Sequence, residues 1–245
     1  MNPKEAGRTA DVADYEQLGG EYYDSSRHPT CRNFQDASAR LIESVLPEIE
    51  PDTLSVDVGA ARSVLMQLLL KRGHRFGDVL VLDSAPAMLE YSRQFQGAGA
   101  LLTVADATLL PLRSNAASLI VASLGDAFNT ENFWKEVARC LRPGALCIFT
   151  TPAYEWAKSF RQSASDECEN LAYFQLADER FLYVPSIIHS VEIQCQLIRA
   201  AGLRVSDVSA ISAAEIPAPH SPKILVGSKC DPVLVGYSVI APAPA

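Results

Sequence analysis

The sequence is short of positive charge. It contains 21 Lys and Arg residues against 29 Asp and Glu residues, which gives a formal net charge of -8. Proteins that bind a phosphate backbone cluster basic residues to displace counterions, whereas here Lys and Arg are scattered and, apart from Lys71 and Arg72, are not adjacent in sequence. We therefore expect no nucleic-acid partner. A small molecule is the expected ligand, and a homodimer or another protein partner remains open.

Long apolar runs and metal-ligand motifs are also missing. No run approaches the ~18 residues needed to span a bilayer, and the N-terminus lacks the apolar core of a signal peptide. A cytoplasmic protein without a membrane partner is therefore expected. The cysteines form no CxxC pair and no ligand-spaced group with the four histidines, so reduced thiols and no metal site are expected. These cysteines are Cys31, Cys140, Cys147, Cys168, Cys195 and Cys230.

The chain does contain short apolar runs that alternate with helical patterns. Strands that are apolar along their whole length, separated by helices, are typical of a parallel sheet covered on both faces. Helices are predicted at 63–73, from Pro86 onward and at 132–144. The predicted strands are 54–60, 78–83, 101–107, 117–125 and 145–153, with two more at 204–212 and 232–241.

The pattern predicts one domain, residues 15–241. Residues 1–14 and the tail 242–245 are expected to be disordered. Within the domain we distinguish an N-terminal cap, a core, an aromatic-rich lid and a C-terminal part, which are residues 15–50, 54–153, 154–189 and 190–241.

Polar and small residues follow each of the first four predicted strands. In an open α/β sheet, ligands bind beyond the carboxyl ends of the strands where the strand order reverses. These positions are therefore the candidate ligand site. They are Asp57 and Gly59, Asp83 and Ser84, Asp106 and Ala107, and Ser123, Leu124, Gly125 and Asp126.

Asp83 is the most informative of these residues. A carboxylate at the end of the second strand, about 20 residues after the first loop, suits the two hydroxyls of a ribose. The structural alternative is that Asp83 or Ser84 caps the following helix. Asp106 has a similar pair of interpretations, contact with an adenine amino group or a simple turn aspartate.

The segments SVDVGAARSVLMQLLLKRG, VLVLDSAPAMLEYSR, LLTVADATLLPL and LRPGALCIFTTP occur in an order that resembles class I S-adenosylmethionine-dependent methyltransferases. The resemblance covers roughly residues 54–153. It implies a Rossmann-like, doubly wound, seven-stranded and mainly parallel sheet with an antiparallel C-terminal edge strand. It also implies methyl transfer from S-adenosylmethionine to a small molecule. The implied cofactor contacts are Asp57, Gly59, Ala60, Ala61, Asp83, Ser84, Met88, Asp106, Ala107, Ser123, Leu124 and Gly125.

The loop after the first strand departs from the family pattern. The family carries Gly-x-Gly-x-Gly there, and this chain keeps Gly59 but has Ala61 and Ser63 at the other two positions. Glycine allows a positive φ and close approach of a ligand. Arg62 adds a cation that either faces the cofactor or points outward. A catalytically inactive methyltransferase-like scaffold is therefore the alternative function. A nicotinamide-dependent oxidoreductase is disfavoured because Gly-x-Gly-x-x-Gly is absent.

Family members also fold an N-terminal segment over the cofactor, which implies contacts from Tyr15, Tyr23 and Arg27. An arginine can pair with the cofactor carboxylate, and the alternative is a surface arginine beside packed tyrosines. For the acceptor side, the candidates that could orient or deprotonate a substrate are Asp126, Tyr154 and His189. Their structural alternatives are a helix-capping aspartate and a packed or exposed histidine.

Overall fold

The computed structural model describes residues 15–73, 77–161, 170–227 and 230–243. The predicted disorder of residues 1–14, the end of the tail, and the residues His74 and Cys168 lie outside these ranges.

A seven-stranded sheet forms the centre of the protein, in the order β3-β2-β1-β4-β5-β9-β8. Strands β1 to β5 are parallel, and β9 is antiparallel to both of its neighbours. The expected doubly wound, mainly parallel fold is therefore confirmed, with the antiparallel C-terminal strand inserted between β5 and the edge strand β8. The strands are β1 Leu54–Val58, β2 Asp78–Asp83, β3 Ala100–Val104, β4 Ala117–Ala122, β5 Leu141–Pro152, β8 Arg204–Ser212 and β9 Pro232–Ile240.

Helices cover both faces of the sheet. One face packs around Trp134 and Phe149, and the other around Leu65, Met66 and Ile148. Among the described helices, none combines the length and the apolar character needed to cross a membrane. The α-helices are α1 Tyr15–Leu18, α2 Pro29–Val45, α3 Val64–Arg72, α4 Pro86–Leu89, α5 Glu131–Cys140, α6 Tyr154–Arg161 and α7 Val191–Ala200, and 3₁₀ helices span Glu90–Ala98, Gly125–Phe128 and Ala213–Glu215.

Two of the predicted helices differ from those in the structure. The helix predicted at 132–144 ends at Cys140, because Leu141 already pairs with Ala117 as the first residue of β5. The helix predicted after β2 is α-helical only to Leu89 and continues as a 3₁₀ helix, which ends at Gly99 with a φ of +97°.

The lid contains structure that its composition did not predict. After α6, the chain forms an antiparallel hairpin of β6 Leu171–Gln175 and β7 Phe181–Pro185, separate from the main sheet. One face of this hairpin contacts the N-terminal cap, where Leu176 and Leu182 pack against Leu18. The lid and the cap therefore meet above the carboxyl ends of the central strands.

Candidate active site

The loop after β1 is built around the buried carboxylate of Asp57. Its Oδ2 accepts hydrogen bonds from the Ser63 hydroxyl at 2.6 Å and from the Leu65 N–H at 3.1 Å. The Ser63 Oγ accepts from the Met66 N–H at 3.0 Å and caps α3. Ser63, which replaces a family glycine, thus fixes the start of α3 in this chain. Asp57 Oδ1 is buried and has no hydrogen-bond partner among the described residues.

Asp83 ties the same loop to the end of β2. Its Oδ2 accepts from the Ala61 N–H and its Oδ1 from the Ala85 N–H, both at 2.9 Å. Burial raises the pKa of Asp83, while these hydrogen bonds oppose the rise. Ala61 adopts a φ of +42°, a conformation that costs an alanine about 1 kcal/mol, and the bond to Asp83 helps to hold it there.

Burial raises the pKa of Asp57 to about 6, with hydrogen bonds from Ser63 and Leu65 lowering it and the charge of Asp83 adding to the rise. The folded protein therefore holds a proton that the unfolded chain, with a usual value of 3.8, has already released. Relative to Asp57→Asn, wild-type stability is expected to be highest below pH 4 and to fall by up to ~3 kcal/mol as the pH rises through 6. Chemical denaturation of both proteins from pH 4 to 7.5 measures this difference.

The asparagine variant is a suitable reference because both donors to Asp57 bind the same oxygen, Oδ2. An amide oxygen at that position keeps the two bonds and places the NH₂ group at the position without a partner. A difference in unfolding free energy that stays constant over this pH range would contradict the raised pKa.

Gly59 lies against an aromatic side chain. With a φ of +61°, it would place a Cβ only 2.2 Å from Cε1 of Phe128. On the far side of that ring, a Cβ on Gly125 would lie 3.2 Å from Phe128 and 2.4 Å from Phe149. The two glycines therefore leave the space that the Phe128 ring occupies between the loops after β1 and β4.

The N-terminal cap covers the loop with tyrosines. Tyr15, Tyr22 and Tyr23 pack over Ala61, together with Ala85, Met88 and Tyr91. The Tyr23 hydroxyl accepts a hydrogen bond from the Arg62 N–H at 2.9 Å. The guanidinium of Arg62 stacks on the Tyr23 ring at 4.1 Å and lies 5.6 Å from Tyr91. The side chain of Arg62 is thus directed at the tyrosine rings that cover the loop.

Arg27 is placed differently from the expectation. Its Nε donates to the Glu21 carboxylate at 2.9 Å, and its side chain is more than a third exposed. Glu21 lies on the same cap as Arg27, and its carboxylate forms an ion pair with the guanidinium. In this arrangement Arg27 has the alternative, surface role and does not face the cofactor loop.

Asp126 lies in the 3₁₀ turn after β4 and is buried. Its Oδ2 accepts from the Ser186 hydroxyl at 2.5 Å, and its backbone carbonyl accepts from the Ile187 N–H at 2.7 Å. Asn129 Nδ2 donates to the Ile187 carbonyl at 3.1 Å. The turn after β4 is therefore fixed to the segment that leads into α7, and Ser186 orients the Asp126 carboxylate.

His189 lies at the outer end of the same connection. Burial lowers the pKa of its imidazole, while a hydrogen bond to the backbone carbonyl of Asn129 opposes this change. The side chain of Asn129 donates a hydrogen bond to Gln194 Oε1 and accepts one from the Trp134 indole N–H. His189 is neutral at physiological pH and is available as a base only through its second ring nitrogen.

Tyr15 connects the two sides of the site. Burial raises the pKa of its hydroxyl well above the usual value, and the charges of Asp126, Cys31 and Asp83 raise it further. The Tyr15 ring packs against the cluster of Ala61, Ala85 and Met88 and against the cluster of Leu18, Leu176 and Leu182. At neutral pH the hydroxyl stays protonated and can donate a hydrogen bond.

The remaining candidates surround this centre or lie apart from it. Asp106 is exposed, and its Oδ1 accepts from the Thr108 N–H and hydroxyl, as in a turn aspartate. Tyr154 is 39% exposed at the start of α6. Of the others, Met88 and Ala107 are buried and Ser84 is exposed. The Ala60 N–H donates to the Leu82 carbonyl, the Ser123 hydroxyl bonds that of Ser38, and Leu124 has a φ of +54°.

Several residues of the site were not predicted from sequence. Phe128 lies in the same GDAFN run as Asp126, but nothing in the pattern distinguishes a ring that fills a site from one in the core. Ser92 joins the loop from a distant helix, accepting from the Ser63 N–H at 2.9 Å and donating to the Ala61 carbonyl at 2.5 Å. Ser186 and Cys31 reach the site from the lid connection and the cap, and no local spacing relates them to the strand ends.

Part of the chain matches a known protein family. Residues 56–149 match a family model described as a methyltransferase domain. The matched stretch runs from β1 into β5 and so includes the strand ends that form the candidate site. No curated protein sequence matches the chain.

Solved structures share the methyltransferase fold at low sequence identity. A methyltransferase from Haloferax volcanii, solved in complex with the Trm112 activator, has a TM-score of 0.66 at 16% identity, covering 94% of this chain and 97% of its own. A Clostridium acetobutylicum S-adenosylmethionine-dependent methyltransferase gives 0.63 at 14%, covering 94% and 99%. Geranyl diphosphate C-methyltransferase from Streptomyces coelicolor gives 0.60 at 14%, covering 83% and 76%.

S-adenosylmethionine is the cofactor of class I methyltransferases, and the strand ends of this chain offer groups that fit it. Asp83 presents a buried carboxylate whose oxygens each have a further lone pair for a ribose hydroxyl. Asp57 Oδ1 is a buried acceptor without a partner among the described residues. The positive φ of Gly59 and Ala61 keeps the loop backbone in the conformation that glycine normally provides.

Proposed function

We propose that this protein transfers a methyl group from S-adenosylmethionine to a small-molecule acceptor bound beneath the lid. The placement of Tyr15, which packs both on the buried residues of the cofactor loops and on those of the lid, is the observation that supports this most directly. Asp83 would hold the cofactor ribose, and Asp126 would face the acceptor. The net charge of -8 favours a small molecule over nucleic acid.

The chain's own residues need to align the acceptor more than to activate it. When bound, S-adenosylmethionine supplies an electrophilic methyl group, so alignment accounts for much of the rate. Asp126, fixed by Ser186, is placed to accept a hydrogen bond or a proton from the acceptor. Tyr15 and the lid would exclude water from this point.

Asp126→Asn is expected to lower the rate of methyl transfer without weakening the binding of the cofactor. Affinity for S-adenosylhomocysteine, measured by calorimetry, should stay within about twofold, because Asp126 lies on the acceptor side. Turnover should fall by about 100-fold or more, since removing a positioned general base costs about that factor. Release of S-adenosylhomocysteine in the presence of a panel of phenols, amines and carboxylic acids measures turnover. Absence of cofactor binding by the wild-type protein would overturn the proposed function.

A non-catalytic role as a partner subunit is the second candidate. Leu101 and Val104 on the edge strand β3 are 55% and 54% exposed, which is unusual for large apolar residues of a strand. One structural relative is bound to a protein activator. Loss of S-adenosylmethionine binding together with stable pairing to another protein would favour this role.

A further inference from the structure

Lys223 is a cation with a fixed backbone at the edge of the lid. The Trp156 indole N–H donates to the Lys223 carbonyl at 2.8 Å, and the Lys223 N–H donates to the Ser221 hydroxyl at 3.2 Å. Ser221 is in turn bonded to Thr30 and Asn33 of α2. The chain thus anchors Lys223 both to α6 of the lid and to α2 beneath it.

The Lys223 ammonium lies over aromatic rings, and no carboxylate in the described ranges is paired with it. Its Nζ is 4.7 Å from the centroid of Tyr173 and 5.8 Å from that of Phe160. Among the described residues, no Asp or Glu forms an ion pair with it, although seven other Lys or Arg side chains do pair with a carboxylate. In a protein with a net charge of -8, an ammonium group that lies over aromatic rings, apart from the carboxylates of the described residues, is well placed for an anionic ligand.

The backbone at Lys223 also connects to the turn after β4. Burial raises the pKa of the Cys31 thiol to about 12, the charge of Asp126 adds to the rise, and the charge of Lys223 opposes it. Cys31 in turn affects Tyr15 and Tyr22. Ile224, the residue after Lys223, is buried in one cluster with Phe34, and Leu124 and Trp156 pack against that cluster. The backbone of Lys223 therefore lies near the turn after β4 that carries Asp126.

We infer that Lys223 binds the carboxylate of the methyl acceptor, which is a small carboxylic acid with an apolar body. This inference rests on the proposed function. One ammonium group matches a single negative charge, whereas a phosphate dianion is commonly bound by several donors or by the fork of an arginine. The rings of Tyr173, Phe160 and Trp156 would contact the apolar body.

The test is calorimetric titration of the protein saturated with S-adenosylhomocysteine. The probes are 4-hydroxyphenylacetate and octanoate, each compared with its uncharged amide, and inorganic phosphate. We expect the acids to bind at least about tenfold more tightly than the amides, and Lys223→Met to remove this preference. Lys223→Arg should retain it. Lys158→Met, which removes an exposed lysine of α6 paired with Glu155, is the matched control and should bind like wild type.

Each outcome decides the inference. Equal binding of acid and amide by wild type, unchanged binding in a folded Lys223→Met protein, or no binding of either acid would overturn it. Tighter binding of phosphate than of either acid would also overturn it, because the preferred anion would then not be a carboxylate. The same titrations are repeated without S-adenosylhomocysteine, so a protein that binds no cofactor but still prefers carboxylates would refute the proposed function and leave the role of Lys223 intact.

Discussion

Asp83→Asn is expected to weaken the binding of S-adenosylhomocysteine by at least ~100-fold, the equivalent of about 3 kcal/mol. Asp83 uses both oxygens to accept backbone N–H groups, one from Ala61 and one from Ala85, each at 2.9 Å. An asparagine has only one oxygen, so one of these contacts becomes a repulsion between two donors. The variant also loses the negative charge that would accept hydrogen bonds from the ribose, and charge-assisted bonds are the stronger kind. Calorimetric titration measures the affinity.

The matched control is Asp78→Asn, at the opposite and exposed end of the same strand. It changes the net charge by the same amount and should bind the cofactor like wild type. Thermal unfolding of both variants without ligand shows how much of the effect is a loss of folding. Wild-type affinity in a folded Asp83→Asn protein would refute the assignment of Asp83 to the cofactor.

The order of elements was predictable because it depends on local patterns. Fully apolar runs identified β1, β2, β4 and β5, and Gly73 ends α3 in the left-handed conformation as its position predicted, with a φ of +68°. The lid hairpin was not predicted, because β6 and β7 pair only with each other and are partly exposed. Their sequence therefore lacks the continuous apolar character of the buried strands.

The candidate site was predictable at strand ends and not beyond them. Asp57, Asp83 and Asp126 lie where the rule for open α/β sheets places ligand-binding residues. Their partners Ser92 and Ser186 come from distant segments, so sequence spacing carries no information about them. The direction in which each side chain points could not be predicted from the sequence either.

Arg27 illustrates this limit. Its residue type suited a cofactor carboxylate, but its direction depends on the nearby Glu21. The sequence pattern therefore predicted a residue type that suits a carboxylate but not which carboxylate it contacts.

Gly59→Ala is expected to lower the free energy of unfolding by about 2–4 kcal/mol, from left-handed strain and overpacking together. The added Cβ would meet the Phe128 ring at 2.2 Å, and that ring has little room to move because Phe133 packs on it with centroids 4.9 Å apart. Gly73→Ala is the matched control, since its φ of +68° is similar but nothing lies within 4 Å of the new Cβ. It should lose only about 1 kcal/mol. Denaturant titration of both variants gives the difference.

A double variant separates the two reasons for a glycine at position 59. If Phe128 creates the requirement, Gly59→Ala combined with Phe128→Ala should be more stable than the sum of the single changes predicts, by an interaction energy of about 1–3 kcal/mol. Additive effects would refute a clash with the ring. Affinity for S-adenosylhomocysteine then distinguishes the second reason. If the loop backbone must also approach the cofactor closely, the double variant regains stability but still binds poorly, because the new methyl group remains in the loop after the ring has been removed.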